Sequence, residues 1–207
     1  MTLFRNLGPF RTTAIGHGEM PLTIENNRGQ DIGIETLHAS LDAGCRHIDT
    51  AWAYYTPGEE EQTGEKLVRE ALETWHGPRD EVTVATKVGL RRAWEGDKPV
   101  WPRDGKPEHL IAYGKQSAQA LGVDSIDLLY LHRHDPEVPY NESCEGIIPT
   151  SYNIHIPDIH NYSDTCPLLK LFLIMTGYTA QLAIDTVDTA ISYVNSVRSK
   201  IDRKSVV

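Results

Sequence analysis

Asp49, Tyr54, Lys87 and His132 carry side chains that, as a set, can hand a proton to an oxygen. Asp49 closes the run CRHID, Lys87 closes VTVATK and His132 closes DLLYLH, three strand-like stretches that end in a polar residue where an apolar one would pack at less cost. Tyr54 lies five residues after Asp49, close enough for its ring to reach over the same strand end. A lysine desolvated beside an aspartate is an ion pair that needs further hydrogen bonds to hold it. A cation beside a tyrosine hydroxyl favours phenolate, so Lys87 is expected to lower the Tyr54 pKa and make it a usable general acid. His132 can orient a carbonyl oxygen or relay a proton. Such a site can protonate an oxygen while hydride reaches the adjoining carbon, and no side chain donates hydride, so a nicotinamide cofactor has to supply it. Singly, each residue has a plainer role: Asp as a helix cap, Lys as a snorkelling strand end, His as a satisfied core residue. Their recurrence at equivalent ends of successive strands is what sets the group apart.

The elements that must position these residues are legible as alternating periods. Residues 12–16 (TTAIG), 45–50 (CRHIDT), 81–88 (EVTVATKV) and 127–132 (DLLYLH) read as strands, the third apolar on both faces as in a buried parallel sheet. Residues 32–43 read as a helix with Ile34, Leu37, His38 and Leu41 on one face, stopped by Gly44. Residues 60–75 read as another, with Leu67, Val68, Ala71, Leu72 and Trp75 at spacings of three and four, ended by Gly77-Pro78. After a long polar loop, residues 107–121 form a third, with Pro107 in the first turn and Gly122 past the end;. Strand–helix alternation at this spacing gives an α/β fold with a parallel sheet and right-handed crossovers. In such a sheet the carboxyl ends of the strands share one face, and that face carries the active site.

Composition narrows the classes of function. The 207 residues hold 20 Lys+Arg against 29 Asp+Glu, a net charge of −9, which argues against a general binder of nucleic-acid phosphates. Cys45, Cys144 and Cys166 are odd in number and widely spaced, so neither a disulfide scaffold nor a zinc cage is expected and a reducing, cytoplasmic setting fits. The longest apolar run, residues 167–175, is broken by Lys170 and falls far short of the roughly 20 residues that cross a bilayer. No membrane association, secretory signal or metal site is expected.

The segment HIDTAWAYYTPGEEEQTGEKLVREAL, followed by VTVATKVG and GVDSIDLLYLHRHDPEVPY, closely resembles the aldo-keto reductase family over residues 3–143. The resemblance implies a (β/α)8 TIM barrel that binds NADP(H) and reduces aldehydes and ketones, small-molecule carbonyl substrates. It places the family's Asp-Tyr-Lys-His tetrad on Asp49, Tyr54, Lys87 and His132, with Tyr54 as general acid. It further implies Trp52 and His132 at the substrate, with packing as the other role open to Trp52. The stretch IGHGEM, ending at Met20, stands in the first-strand loop where IGLGT is usual, so Met20 and Asp49 are expected at the cofactor. His17 and Glu19 depart from the family pattern there, and Glu19 is expected near the nicotinamide.

Two features run against a complete enzyme. A full barrel of this kind takes about 250 residues, and the resemblance ends near VPYNES. Residues 1–143 carry a charge of −8 and residues 144–207 only −1. Two regions are therefore expected: 1–143 as an incomplete barrel of about four β/α units, and 144–207 as an unrelated tail, loop first and then an amphipathic helix over 179–201. This pattern reads as a truncated or alternatively spliced reductase, or as a gene read into an intron. A sheet of four strands leaves two open edges, through which copies could associate. The alternative function is a catalytically inactive half-barrel with an interaction or regulatory role. His155, Asp158 and His160 are too poorly spaced for a metal site, and Glu59-Glu60-Glu61 reads as a solvated helix start.

Overall fold

The computed structural model describes residues 3–7 and 10–147. The loop and the helix over 179–201 expected in the tail, together with His155, Asp158 and His160, lie outside the described residues. Four parallel strands form the central sheet in the order β3 (His17–Gly18), β4 (His47–Asp49), β5 (Thr83–Val88) and β8 (Leu128–Leu131). The order follows the chain without reversal, unlike a doubly wound sheet, in which it switches direction. Helices α1 (Gln30–Asp42), α2 (Thr63–Thr74), α3 (Pro107–Leu121) and α4 (Tyr140–Ile147) each pack on the next. Strands β3, β4 and β5 are therefore each followed by a helix that returns over the sheet to start the neighbouring strand, and β8 is followed by α4, the α/β arrangement that the periods imply;.

The core forms where the apolar stripes of α1 and α2 meet the middle of β4 and β5. Leu37, Leu41, Ile48, Leu67, Val68, Ala71 and Val84 make one buried cluster. Gly33 is the contact that lets α1 approach α2, because a Cβ there would lie 2.8 Å from a Leu67 methyl. The stops work as the sequence indicates: Gly44 (φ 95°) follows α1, and Gly122 (φ 67°) ends α3 in the left-handed conformation that glycine adopts without strain;.

Several boundaries differ from expectation. The strand expected over 12–16 splits in two: β2 (Phe10–Thr13) pairs antiparallel with β1 (Phe4–Leu7), while His17–Gly18 joins the parallel sheet. His-Gly has no intrinsic strand signal, and only its pairing with Ile48 and Asp49 makes it one;. Helix α2 begins at Thr63 rather than residue 60, because Gln62 takes a left-handed conformation (φ 62°) and Gly64 N donates to Tyr54 O at 2.9 Å. Glu59, Glu60 and Glu61 consequently precede the helix, where Glu60 pairs with Lys66. The region read as a polar loop after β5 contains a hairpin, β6 (Ala93–Glu95) with β7 (Lys98–Val100), turned at Gly96-Asp97. Helix α4 crosses residue 143, where the recognisable region was expected to end. It is held there by Ser143, whose hydroxyl donates to Gly105 O at 2.7 Å.

Candidate active site

The backbone beyond each strand keeps bonding to the next strand, and this carries the polar residues into one place. Thr50 N donates to Ala85 O at 2.8 Å and Trp52 N to Lys87 O at 3.0 Å. His132 N donates to Val88 O at 2.8 Å. A tight turn, Tyr54 N to Ala51 O at 3.0 Å, then folds Tyr54 back over the carboxyl end of β4. All four candidates converge. Lys87 Nζ pairs with Asp49 Oδ1, donates to Thr50 O at 2.8 Å and donates to the Tyr54 hydroxyl oxygen at 3.2 Å. The His132 ring meets the Tyr54 ring edge-on, with centroids 5.6 Å apart. Lys87 and Asp49 are part-buried, so their pair needs further hydrogen bonds to offset its desolvation, and Thr50 O and the Tyr54 hydroxyl oxygen supply them;.

Burial decides the protonation states. Burial raises the Tyr54 pKa above its ordinary value, outweighing the opposing pull of the Lys87 ammonium and its hydrogen bond. The expectation that Lys87 would bring the phenol below its usual value is therefore corrected. In this low-dielectric pocket the desolvation of phenolate is the larger effect, and Tyr54 stands as a protonated donor. Burial, reinforced by the charges of Lys87 and Arg133, lowers His132 to about 4, so the imidazole is neutral at physiological pH. Its Nδ1 is buried and has no hydrogen-bond partner among the described residues.

The other candidates separate. Met20 opens the 3-10 turn after β3 and stays 37% exposed, at the same end of the sheet as Asp49, whose side chain is 34% exposed. Trp52 is 2% exposed and turned toward α3, where it packs on Tyr113 at 4.5 Å and donates Nε1–H to Gln116 Oε1 at 2.9 Å. No ring contact joins Trp52 to Tyr54 or His132 among the described residues. Glu19 is fully buried beneath Thr50 and Gly64, so its side chain does not open on the face where the cofactor was expected.

Trp101 was missed. It follows the β6–β7 hairpin and lies edge-on to both Tyr54 (6.2 Å) and His132 (6.4 Å). Arg92 stacks on its ring at 3.7 Å, donates to Tyr55 O at 3.1 Å and pairs with Glu25 from the loop after β3. A detectable signal existed: Gly96-Asp97 between short β-compatible runs marks a two-residue hairpin, and that hairpin delivers Trp101. A cleft of about 700 Å³ between α2 and α3 is lined by Gln62, Lys66, Arg69, Glu73 and Gln116 and includes no member of the Asp-Tyr-Lys-His group.

An ion-paired lysine donating to a buried phenol, with a neutral imidazole beside it, is an arrangement that can donate a proton, and it stands at the carboxyl ends of parallel strands. The sequence matches the Aldo/keto reductase family over residues 14–170. The chain belongs to the aldo/keto reductase family. The family match runs on past residue 143. Among curated relatives, the chain is 34% identical over 123 residues to Aldo-keto reductase YhdN of Bacillus subtilis, covering 59% of this chain and 34% of that protein. It is 30% identical over 112 residues to L-glyceraldehyde 3-phosphate reductase of Escherichia coli, covering 54% and 30%. Among solved structures, it is similar to an aldo-keto reductase of Bacillus halodurans in its holo form, with a TM-score of 0.57 and 27% identity, covering 72% of this chain and 46% of that one. It is also similar to the glycerol dehydrogenase of Gluconobacter oxydans, with a TM-score of 0.55 and 27% identity over 70% and 43%. The chain thus spans about a third of these curated relatives and under half of the solved chains.

Proposed function

We propose that this aldo/keto reductase family member reduces the carbonyl of a small aldehyde or ketone with NADP(H), on a sheet that forms the first four β/α units of a (β/α)8 barrel. The observation that carries the reading is the convergence of Lys87 on both Asp49 and the Tyr54 hydroxyl. The unreversed strand order supports the barrel, since a closed barrel adds each strand beside the last;. The relatives' names, a glyceraldehyde phosphate reductase and a glycerol dehydrogenase, support exchange between a carbonyl and an alcohol.

The residues present fit the reacting end of the cofactor. Asp49 and Met20 are partly exposed at the face where Tyr54 is held, and the orphaned His132 Nδ1 leaves a polar group for a bound molecule to satisfy. Met20 and Asp49 would hold the nicotinamide end, and the chemistry that NADP(H) supplies when bound is hydride for the carbonyl carbon. Tyr54 transfers its hydroxyl proton to the carbonyl oxygen as that oxygen gains charge. Lys87, already donating to the Tyr54 oxygen, stabilises the phenolate left behind, and Asp49 keeps the ammonium in place. Neutral His132 orients the carbonyl by hydrogen bonding without adding a second positive charge. Trp101, edge-on to both Tyr54 and His132, walls the pocket. A cytoplasmic setting is part of this proposal; among the described residues no helix is long and apolar enough to cross a membrane. Among the described residues β3 and β8 are the edge strands of the sheet, and there copies of the chain would associate;.

A competing reading is a catalytically inactive half-barrel with an interaction or regulatory role. Fluorescence titration with NADPH separates the two. On the reductase reading NADPH binds at micromolar concentration, and Tyr54→Phe binds it within about threefold while losing on the order of 10²- to 10⁴-fold in carbonyl reduction. No binding at high micromolar NADPH overturns the reductase reading.

A further inference from the structure

Glu19 is fully buried, and the proton donation described above does not use it. Its amide donates to Asp49 O at 2.9 Å. Its Oε2 accepts from the Thr50 hydroxyl at 2.7 Å, and its Oε1 accepts from the Thr23 hydroxyl. Thr50, also fully buried, offers its own carbonyl to Lys87 Nζ at 2.8 Å. Glu19 therefore grips the Asp49–Thr50 segment at two points, and that segment supplies both the carboxylate and the carbonyl that hold the Lys87 ammonium. The carboxyl group packs directly against Gly64 of α2, where a Cβ would lie 2.5 Å from Oε2, so a side chain at that position would displace it. An ionisable side chain shut into a core costs free energy that an apolar residue would not, and here it is placed directly behind the Lys87 site.

We propose that Glu19 is a positioning residue for the tetrad lysine: through the Asp49–Thr50 segment it fixes Lys87 against Tyr54, and its charge acts on both from behind. The charged and titratable groups facing it are Asp49 on β4, Lys87 on β5, Tyr54 in the turn after β4 and Glu65 on α2. Burial raises Glu19 to about 7, against the hydrogen bonds from Thr23 and Thr50 and the attraction of Lys87. Its ionisation thus falls in the neutral range, and the ionised form pushes the Tyr54 phenol further up. This inference deepens the reductase reading and rests on it only for what Lys87 and Tyr54 do in turnover.

The test is made on the free full chain and needs no turnover. The 13Cε resonance of Lys87, assigned by its loss in Lys87→Met, is followed against pH. The Tyr54 phenol is followed by the absorbance difference between the chain and Tyr54→Phe. The Lys87 resonance is expected to show an inflection near pH 7 that Glu19→Gln abolishes and Glu65→Gln retains. Glu19→Gln is also expected to lower the Tyr54 midpoint, by about threefold to tenfold in ionisation constant. Thr50→Val, which removes the hydroxyl link but keeps the carbonyl, is expected to displace the Lys87 resonance. A folded Glu19→Gln with the inflection and the Tyr54 midpoint unchanged overturns the proposal. Should that variant not fold, an unmoved Lys87 resonance in Thr50→Val overturns it instead. If the resonances move as expected while the chain reduces no carbonyl, the reductase reading fails and the positioning role stands.

Discussion

Tyr54 and His132 show how burial sets the roles of two titratable groups in one pocket. Each is held in its neutral form, Tyr54 by the desolvation of phenolate and His132 by the desolvation of imidazolium together with the neighbouring Lys87. A protonated phenol can donate, and a neutral imidazole can still hydrogen-bond an oxygen without repelling Lys87. The direction for His132 can be checked by its ring proton resonances. They are expected to titrate near 4 and to show no step between pH 5.5 and 8, whereas an exposed histidine titrates close to 6.5. In Lys87→Met the His132 midpoint is expected to rise, because the second contribution to its depression is gone. A midpoint that stays put would assign the shift to burial and Arg133 without Lys87.

At the level of elements, what places the site is the chain just past each strand. The β6–β7 hairpin and the loop after β3 are tied across the sheet end by Arg92, which pairs with Glu25 and stacks on Trp101. Helix α4 is fastened to α3 by contact so close that it depends on one glycine. A Cβ at Gly146 would lie 2.6 Å from Pro107 Cα and 2.8 Å from Pro107 O. Backbone atoms cannot move aside as a flexible side chain can. Gly146→Ala is therefore expected to destabilise the fold by about 1–3 kcal/mol, despite alanine's better helix propensity. Urea unfolding measures it, and an unchanged midpoint would mean that α4 does not pack on the start of α3 in solution.

For the whole molecule, the two buried carboxyls and the buried imidazole pull stability in opposite directions with pH. Glu19 and Glu65 are each raised by burial to about 7, well above the ordinary carboxyl value of 4.5. A raised pKa stabilises the folded state fully below the unfolded value, and that contribution is lost as pH rises through the folded value. His132, lowered to about 4 from 6.5, contributes above 6.5 and loses its contribution as pH falls through 4;. Between pH 6.5 and 8.5 His132 has little left to gain, so the carboxyls dominate. They are expected to reduce stability by roughly 1–2 kcal/mol over that interval. Glu19→Gln combined with Glu65→Gln should flatten the fall in melting temperature across it. A slope that persists in the double variant would place its origin elsewhere.

The sequence by itself determined the α/β order and that Asp49, Tyr54, Lys87 and His132 share one end of the sheet. Both are written in local patterns: periods of 3.6 and 2, glycine stops, and polar residues at the ends of apolar runs. Asp49, Lys87 and His132 are legible because strand ends of a parallel sheet must share a face, so each position implies its neighbours. Only the tertiary structure made His17–Gly18 a strand, turned Trp52 into α3 and brought Trp101 over the site in a region read as plain loop. It also buried Glu19, which the sequence had placed toward the cofactor, and reversed the direction expected for Tyr54. These outcomes share one physical reason. Strand pairing, the direction of a side chain and the desolvation of a charge depend on atoms distant in the chain, and no local pattern encodes their sum.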